Sequence, residues 1–471
     1  MGTINSAMAL ITGALDADQM ALNVTSNNVA NASNQSYTRE VPNWSENQPI
    51  YLNGIAQGTG VTVTGGVSQR DRVLNQRLDQ QQQLSASSTS LLTALTTLQS
   101  SFTPASSSTS TGNIGTDIAN FFDSYTQLES DPTSNPLRQQ VLSSATTLAA
   151  DISGTAASLN AQQSSLDQSA TTVVAQVNAL TASLGQVTHE IQSTSPNQDA
   201  GVLEDQRQSD LSQLSQLIGI NQITTENNGL SVTTTGGQLL ESEGASFPIT
   251  SGSVNGVTHF FLGTTDITSA LATGGGQLGG LLTARDQSIP TTLASLDQLA
   301  YSLSTQVNTV NNAGTDLLGD NGNAGNIFNA PTQVSGSAAA MSVVLTGPTA
   351  PDKIAAAGLG LGTGDDSNAL AAANLANQGI VNGQTPSNYY SNLVSTLGAT
   401  VSQTTTQNTA LTASVTQLQT QVSSLSGVSL DDEASNLEEF QRSYQAASQT
   451  FTILNSIMAS ALNLGVETAV A

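Results

Sequence analysis

The side chains that could carry catalysis are few and widely separated. The 471-residue chain has no cysteine, and its two histidines, His189 and His259, lie 70 residues apart. Disulfides, thiolate metal sites and a cysteine nucleophile are therefore excluded, and zinc ligation or a Ser-His-Asp triad has little to draw on. We predict that His189 lies in a helix and His259 in a strand, both with structural roles.

Carboxylates are numerous, and a suitably spaced pair could hydrolyse glycosidic bonds. Such a site needs an acid in an apolar pocket beside aromatic rings that bind sugar, and Trp44 is the single tryptophan. Asp316 and Asp320 lie among glycines, but their spacing does not match a calcium loop. We predict no catalytic residue, no cofactor and no metal ligand. A cell-wall-digesting enzyme is the disfavoured alternative, which a zymogram on peptidoglycan would test.

The acidic run Asp431-Asp432-Glu433 has a simpler explanation than metal binding. It follows Ser429, a good N-cap residue, and acids in the first turn of a helix are stabilised by the helix dipole. The run therefore predicts the start of the last helix.

Charge excludes two classes of partner. Only 9% of the residues are charged, the net charge is −25, and Lys353 is the one lysine. Such a chain cannot neutralise phosphates, so nucleic acid and anionic membrane surfaces are not expected partners. No run of about 18 apolar residues predicts membrane insertion. The first basic residue is Arg39, so no Sec signal peptide is predicted, and export by another route stays open.

Asparagines crowd the stretch SNNVANASNQSYTRE, residues 26–40, although asparagine is a poor helix former. Asn23, Asn27, Asn31 and Asn34 are spaced to share one helix face. An amide both donates and accepts, so it can bond an identical neighbour in a homomeric assembly. We predict an interface on this face; the alternative is that the asparagines fray the helix before Tyr37.

Heptad patterns at both ends predict two amphipathic helices. Met8, Leu15, Leu22 and Val29 are seven apart, preceded by Ile4 and Ile11, with Asp18 and Thr25 on the same face. At the other end the rows are Leu437, Tyr444, Phe451, Met458 and Phe440, Ala447, Leu454, Ala461. Neither helix can bury its apolar face alone, so we expect them to pair with each other or with copies of the chain.

The interior alternates between long helices and a β-rich centre. Heptads predict helices between Pro136 and Pro196, after Pro290, and over residues 394–425, which we interpret as an antiparallel rod. Turn signals at NNG, TGG and VNG predict hairpins over residues 220–268, and SVVLTGP from Ser342 predicts more strands.

The predicted fold class is mainly α, with an inserted β-rich module and a long antiparallel helical rod ending in paired N- and C-terminal coiled-coil helices. We expect a terminal assembly domain (1–40 and 430–471), a helical rod domain (41–217, 275–315 and 385–429) and a β-rich outer module (218–274 and 316–384).

The ends of the chain resemble bacterial flagellar axial proteins. NVTSNNVANASNQSYTRE is similar to their N-terminal signature, and GVSLDDEASNLEEFQRSYQAASQTFTILNSIM to their C-terminal one. The segment 275–319, with its LLTARD run followed by Ile289-Pro290, resembles the hook-associated protein 1 family, as does DPTSNPLRQQVLSSATTLAADI. One departure is Asn34-Gln35-Ser36, where that family often has Thr-Pro-Gly.

The resemblance implies a structural protein without catalysis, secreted by the flagellar type III apparatus and located at the hook–filament junction. It implies as partners copies of the chain, the hook protein, the second hook–filament junction protein and an export chaperone on the C-terminal helix. A flagellin-like filament subunit is the alternative. The predicted assembly interface comprises Ile4, Met8, Ile11, Leu15, Leu22, Asn27, Val29, Asn31, Phe440, Tyr444, Phe451, Leu454 and Met458.

Overall fold

The structure, a computed structural model, describes residues 2–34, 36–52, 54–102, 113–195 and 199–467. Within these ranges the chain is mostly helical. The α-helices are α1 Gly2–Asn31, α2 Arg72–Ser100, α3 Ile114–Ser130, α4 Asn135–Thr194, α5 Val202–Leu217, α6 Thr268–Gly274, α7 Gly276–Thr283, α8 Ile289–Ala313, α9 Ser337–Ala340, α10 Ser367–Asn374, α11 Pro386–Ser426 and α12 Leu430–Glu467. The strands are β1 Glu40–Glu46, β2 Ile50–Leu52, β3 Ile55–Gln57, β4 Val61–Ser68, β5 Ile220–Thr224, β6 Leu230–Thr234, β7 Leu239–Ser242, β8 Ala245–Ser246, β9 Ile249–Val254, β10 Val257–Leu262 and β11 Thr265–Asp266.

The chain divides into two compact units, one assembled from three segments and the other from two. Unit 1 comprises Met1–Gln83, Val177–Pro248 and Thr412–Ala471, and unit 2 comprises Leu84–Gln176 and Ile249–Leu411. The helices α2, α4 and α11 each contribute residues to both units. Unit 1 therefore contains the first and last segments of the chain together with residues 177–248, which separate the two segments of unit 2.

In unit 1, the first helix lies against a two-stranded ribbon and the last helix. β1 and β4 pair antiparallel, from Glu40 opposite Ser68 to Glu46 opposite Val61, with an irregularity between Pro42 and Trp44. A proline cannot donate to the ladder, which accounts for the irregularity at this point. α1 packs against α12, β1 and β4.

The second sheet of unit 1 is a four-stranded antiparallel meander in the order β5-β6-β7-β8. Its inner residues Ile220, Val232 and Leu240 are buried. Its first turn uses Asn227 and Asn228 in the left-handed conformation, as the NNG signal predicts. The three-stranded sheet β11-β10-β9 belongs to unit 2, and its β9–β10 turn places Asn255 and Gly256 at positive φ.

The core of unit 2 is a helical assembly. Apolar side chains of α2, α3, α4, α8 and α11 pack in one cluster with the irregular segment 324–381. Phe121 is at its centre, with ring centroids 5.2 Å from Phe122, 5.5 Å from Tyr125 and 5.7 Å from Phe328. Heptad positions such as Ile152 are fully buried, so these predicted rows are core-facing.

The end of the LLTARD run and the two residues after it form a short π-helix, Ala284–Ser288, between α7 and α8. Its Arg285 is almost completely buried and pairs with Asp167 of α4 at 2.5 Å and with Asp286 at 2.7 Å. Asp167 also accepts a hydrogen bond from Thr258 of β10 at 2.6 Å. The motif thereby joins the β9–β11 sheet to α4 by charge-assisted hydrogen bonds.

Several predicted boundaries are confirmed. α4 begins at Asn135, beside Pro136, and ends at Thr194, before Pro196, which lies outside the described residues. α12 begins one residue after Ser429, whose Oγ lies 3.4 Å from the backbone nitrogen of Asp432. The mainly helical fold with a small sheet-containing insert is also confirmed, whereas the antiparallel rod, the coiled coil and the domain boundaries stay predictions.

Two assignments are wrong. The predicted helical rod includes residues 41–68, which form β1–β4 instead, because Val61 and Val63 alternate with threonines that face outward. The second predicted patch of strands starts at Ser342, within the expected β-rich segment 316–384. That segment contains isolated bridges such as Phe328–Val343, four short helical segments and loops. Its backbone bonds instead to buried amides, including that of Asn308, which donates to the Phe328 carbonyl at 2.9 Å.

The GGQLGG sequence allows α7 to approach α2 at backbone distance, which yields a first prediction. A Cβ on Gly280 would lie 2.2 Å from the Ser87 carbonyl oxygen and 2.8 Å from the Leu91 nitrogen. Gly280→Ala should therefore lower the free energy of unfolding of unit 2 by about 1–3 kcal/mol, because the added methyl group overpacks the contact. Gly154→Ala, in open space on α4, should stabilise it by about 0.5–1 kcal/mol. Urea unfolding followed by circular dichroism tests both; equal effects would contradict the close helix contact.

Candidate assembly interface

A buried amide, Asn28, links the two ends of the chain in unit 1. Its side chain is 1% exposed. Its Nδ2 donates to the Glu40 carbonyl oxygen at 2.8 Å and to Glu433 Oε2 at 3.1 Å. Its Oδ1 accepts from the Tyr37 hydroxyl at 2.8 Å and the Glu40 N–H at 3.0 Å. Both donors and both acceptor positions of the amide are thus used.

Glu433 is the partner of Asn28 on α12, and it is 1% exposed. Arg39 compensates its buried charge through Nε, 2.6 Å from Glu433 Oε1. The Arg39 backbone N–H donates to the Ser426 carbonyl at 2.9 Å, and the Ser426 hydroxyl donates to the Gln69 carbonyl at 2.7 Å. These bonds fix the turn between α11 and α12 against the start of β1.

A second polar cluster holds the connection between α1 and β1 from the side of α5. Arg70 pairs with Glu204 and Asp205, each at 2.5 Å, and all three side chains are largely buried. Asp205 also accepts from the Thr38 N–H at 3.1 Å. Since a buried charge is costly unless it is paired and hydrogen-bonded, the cluster specifies one arrangement of these elements.

Burial perturbs the ionisation of this region. Burial, with added repulsion from Glu40, Asp205 and Glu433, raises the pKa of the Tyr37 phenol, which therefore stays a hydrogen-bond donor. Burial, with the charges of Asp199 and Asp205, also raises the pKa of Glu40, and Arg70 acts in the opposite direction.

On α1, the predicted apolar residues are only partly covered within the chain. Ile4, Met8, Ile11, Leu15 and Leu22 are half-buried, and Val29 is 40% exposed. The fully buried face lies beside them, and its members are Ala17, Asp18, Ala21, Val24, Thr25 and Asn28. The buried face of α1 is therefore centred about one residue away from the predicted row, and it includes the predicted polar positions Asp18 and Thr25.

On α12, the predicted residues Phe440, Tyr444, Phe451, Leu454 and Met458 are all half-buried. Phe440 packs against Trp44 of β1 with ring centroids 6.1 Å apart. This row therefore has partners within its own chain.

A neighbouring face of α12 remains open. Ile453 is 60% exposed and Ile457 is 49% exposed. These two isoleucines lie one helical turn apart and precede Leu454 and Met458 by one residue each. That offset places the isoleucines about 100° around the helix from the half-buried row.

The four asparagines predicted to share one face of α1 do not form the buried contact between α1 and α12. Asn23, Asn27 and Asn34 are exposed and Asn31 is half-buried. Asn31 Nδ2 donates to Oδ1 and to the carbonyl of Asn27, both at 3.0 Å. The predicted interface on this face stays a prediction. The decisive residue, Asn28, was missed; its signal is that it lies seven residues from Ala21 and three from Thr25, on the buried face.

The remaining polar predictions fall in structural settings. His189 lies in α4 and His259 in β10, where its Nδ1 is 2.6 Å from Asp266 Oδ2. Asp316 Oδ1 accepts from the N–H groups of Leu318 and Asp320, which makes a turn. Among the described residues, histidines and acids form no group of three or more positioned to hold a metal ion. No helix in the described ranges is long and apolar enough to span a membrane.

The fold agrees with that of a known protein of the bacterial flagellum. The structure is similar to "the flagellar hook junction protein FlgK from Burkholderia pseudomallei", with a TM-score of 0.65 and 19% identity. The match covers 74% of this chain and all of the other. At this identity the likeness establishes the fold. The family model "Flagellar basal body rod FlgEFG protein C-terminal" matches residues 419–464, which contain most of α12. The chain is therefore of the flagellar axial class.

Sequence comparisons identify the family within this class. The model "Flagellar hook-associated protein FlgK helical domain" matches residues 95–328. "Flagellar hook-associated protein 1" of Escherichia coli K12 is 26% identical over 334 residues, 68% of this chain but only 58% of that protein. The protein of the same name from Bacillus subtilis 168 is 23% identical over 490 aligned residues, 96% of each chain. The chain belongs to the FlgK family of flagellar hook-associated proteins, which are structural proteins, as the resemblance of its motifs implied.

The Asn28 contacts predict that one amide controls the pairing of the chain ends. Asn28→Ala would leave buried groups of Tyr37, Glu40 and Glu433 without partners, at about 1–3 kcal/mol each. We expect a lower urea midpoint for unit 1, measured by fluorescence of Trp44, the single tryptophan, which lies beside Phe440.

The matched control is the adjacent exposed amide: Asn27→Ala should change the free energy of unfolding by no more than about 0.5 kcal/mol. If the two variants unfold alike, Asn28 does not carry the link.

Proposed function

We propose that the protein is a structural junction subunit of the bacterial flagellum, which self-assembles into a short ring connecting hook to filament. Family membership supports this proposal, as do the names of the relatives, two hook-associated proteins 1 and a hook junction protein. The chain is exported by the flagellar type III apparatus and acts outside the cell. Its partners are copies of itself, the hook protein and the second hook–filament junction protein.

The observation that carries the proposal is the division of α12 into two apolar faces. One, from Phe440 to Met458, is half-buried within the chain. The other, Ile453 and Ile457, is open to solvent, and covering these two side chains with another apolar surface would be favourable. A copy of the same chain supplies such a surface at every position of a ring.

The composition suits repeated contact between identical surfaces. Because only 9% of the residues are charged, like charges seldom meet when copies of the chain pack together. Amides and hydroxyls both donate and accept hydrogen bonds, so they can bond to identical groups on a neighbouring copy. The exposed asparagines of α1, including Asn27, fit this requirement.

A filament subunit is the second candidate, because flagellins carry similar chain ends. The match of the FlgK helical domain to residues 95–328 favours the junction. The copy number per flagellum separates the two: a handful of subunits fits a junction, and a very large number fits a filament.

The open face of α12 predicts a variant that folds but does not assemble. Ile453→Asp places a carboxylate where the free subunit is solvated, so folding should be unchanged, while in a subunit contact the unpaired charge would cost several kcal/mol. Cells should make hooks, release filament subunits into the medium and fail to swim.

Thr452→Asp is the control, since it adds the same charge to a third, exposed face of α12 and should leave swimming intact. Phe451→Asp should in addition lower the stability of unit 1, because Phe451 is half-buried. Normal swimming by Ile453→Asp cells would refute a subunit contact on this face.

Before assembly, the apolar faces of α12 are an aggregation hazard, and we propose that an export chaperone covers them. Removing residues 430–471 should abolish capture of the chaperone by the purified protein. Full capture by the shortened chain would locate the chaperone site elsewhere. Ile453→Asp should weaken capture if the open face is the bound surface, whereas Thr452→Asp should not.

A further inference from the structure

A groove with an apolar floor, which we call the α8–α11 groove, lies between α2, α8 and α11 of unit 2. Its floor includes Leu95 and Leu98 of α2 and Leu397 of α11, all three of which are buried. Its rim carries hydroxyls and amides, among them the hydroxyls of Thr291 on α8 and Thr396 on α11. The groove has a volume of about 410 Å³, so it has room for more than one side chain of a partner.

The α8–α11 groove is uncharged. None of the described residues that line it is an aspartate, glutamate, lysine, arginine or histidine. Helix α11 contains no such residue over its whole length of 41 residues. A charged group of a partner would therefore be buried in this groove without a counter-charge, which is costly. The chemistry of the groove selects an apolar, uncharged occupant.

A turn in the same unit carries apolar side chains that lack cover. Residues 358–362 have the sequence GLGLG, and we call them the leucine turn. In this turn, Leu359 is 64% exposed and Leu361 is 50% exposed. Gly360 lies between them at a φ of +74°, and its N–H donates to Asn321 Oδ1 at 2.8 Å. The backbone between the two leucines is therefore fixed, and their side chains are presented to solvent.

The segment that follows α8 supports the leucine turn and enlarges its apolar surface. The Thr315 N–H donates to the Ala357 carbonyl at 2.8 Å, and a Cβ on Gly322 would lie 3.0 Å from Leu359 Cδ1. Leu318, in the same segment, is 53% exposed. Single exposed leucines are common on protein surfaces, but three on two joined turns form a patch that is typical of a contact surface.

We infer that the leucine turn of one copy of the chain inserts Leu359 and Leu361 into the α8–α11 groove of a neighbouring copy. Apolar side chains meet an apolar floor, and the charges also agree. Asp320, Asp365 and Asp366 flank the leucine turn, so a partner surface rich in acids would repel it, whereas the groove has no acid. The inference rests on the proposed function in one respect, since ring formation is what brings copies together.

The two surfaces lie too far apart to satisfy each other within one copy. Thr291 lines the groove near the start of α8, whereas the leucine turn bonds to the segment that begins after Ala313, the last residue of α8. The rise of the helix between these two residues is roughly 33 Å. A contact between different surfaces of identical copies repeats head to tail, and it closes into a ring when the rotation allows.

Cysteine cross-linking of the purified full chain tests the contact, because the natural chain has no cysteine. A chain with both Leu361→Cys and Thr396→Cys, oxidised at high concentration, should give a ladder of covalent oligomers on a non-reducing gel. Either single variant should give dimers at most, because it lacks one half of the contact. The control chain combines Leu361→Cys with Ser402→Cys, an exposed position on α11 outside the groove, and should give no ladder.

A charge in the leucine turn should break the same contact. Leu359→Asp, added to the chain that carries both cysteines, should lower the yield of the ladder at least about tenfold, because the carboxylate would enter an apolar groove. Its folding should be unchanged, since Leu359 is exposed. Leu370→Asp is the matched control, because Leu370 is an exposed leucine of α10 outside the leucine turn, and its ladder should persist.

Three results would overturn the inference. They are equal ladders from the Thr396→Cys and Ser402→Cys chains, equal losses from Leu359→Asp and Leu370→Asp, and cross-linking in isolated flagella only to a protein of different mass. The last result would assign the groove to another flagellar protein. A chain that is present at the hook–filament junction but forms no ladder refutes the inference alone. A ladder from a chain that is absent from the junction supports the contact and refutes the proposed function.

Discussion

The arrangement of unit 1 depends on one buried amide, Asn28, that joins residues 405 positions apart in the chain. Asn28 lies near the end of α1. Its side chain bonds to Glu40, the first residue of β1, and to Glu433 in the first turn of α12. An aspartate would lack the donors and a leucine would lack both functions, so the choice of asparagine follows from the geometry. These hydrogen bonds fix the start of α12 against the end of α1 and the start of β1.

This dependence explains how a chain poor in charge uses the few charges it has. Arg39 and Arg70 lie at the junction of α1, β1, α5 and α12, each opposite a buried acid. In unit 2, the buried Arg138 donates to the Pro132 carbonyl, and the buried Arg285 pairs with the half-buried Asp167. A buried ion pair adds little net stability but penalises every alternative that separates its members. In both units, arginines therefore specify where elements meet, and apolar burial supplies the stability.

The sequence predicted what depends on local periodicity. The rows through Ile152, Leu296 and Phe451 identified α4, α8 and α12, because each helix repeats its contact over many turns. Sequence patterns do not predict single contacts between distant residues: nothing near Asn28 in the sequence indicates that it bonds to Glu433. The strands around Pro42 alternate too irregularly between apolar and polar residues to be recognised as strands. SVVLTGP has strand-like composition, yet its backbone pairs at one isolated bridge, since the preceding asparagines of α8 satisfy the surrounding segment.

The two faces of α12 show why heptad analysis alone cannot assign an assembly surface. A heptad row identifies the residues that must be covered, but a chain that folds back on itself can cover one row internally. Phe440 against Trp44 is such an internal contact, and it leaves Ile453 and Ile457 as the row without one. In a homomeric assembly the same helix must satisfy both demands, so internal packing has to be limited enough to leave the second row open. The half-burial of the row from Phe440 to Met458, rather than full burial, is consistent with that compromise: the intrachain contact positions the helix, and in the proposed assembly the remaining apolar area would be available to a neighbouring subunit.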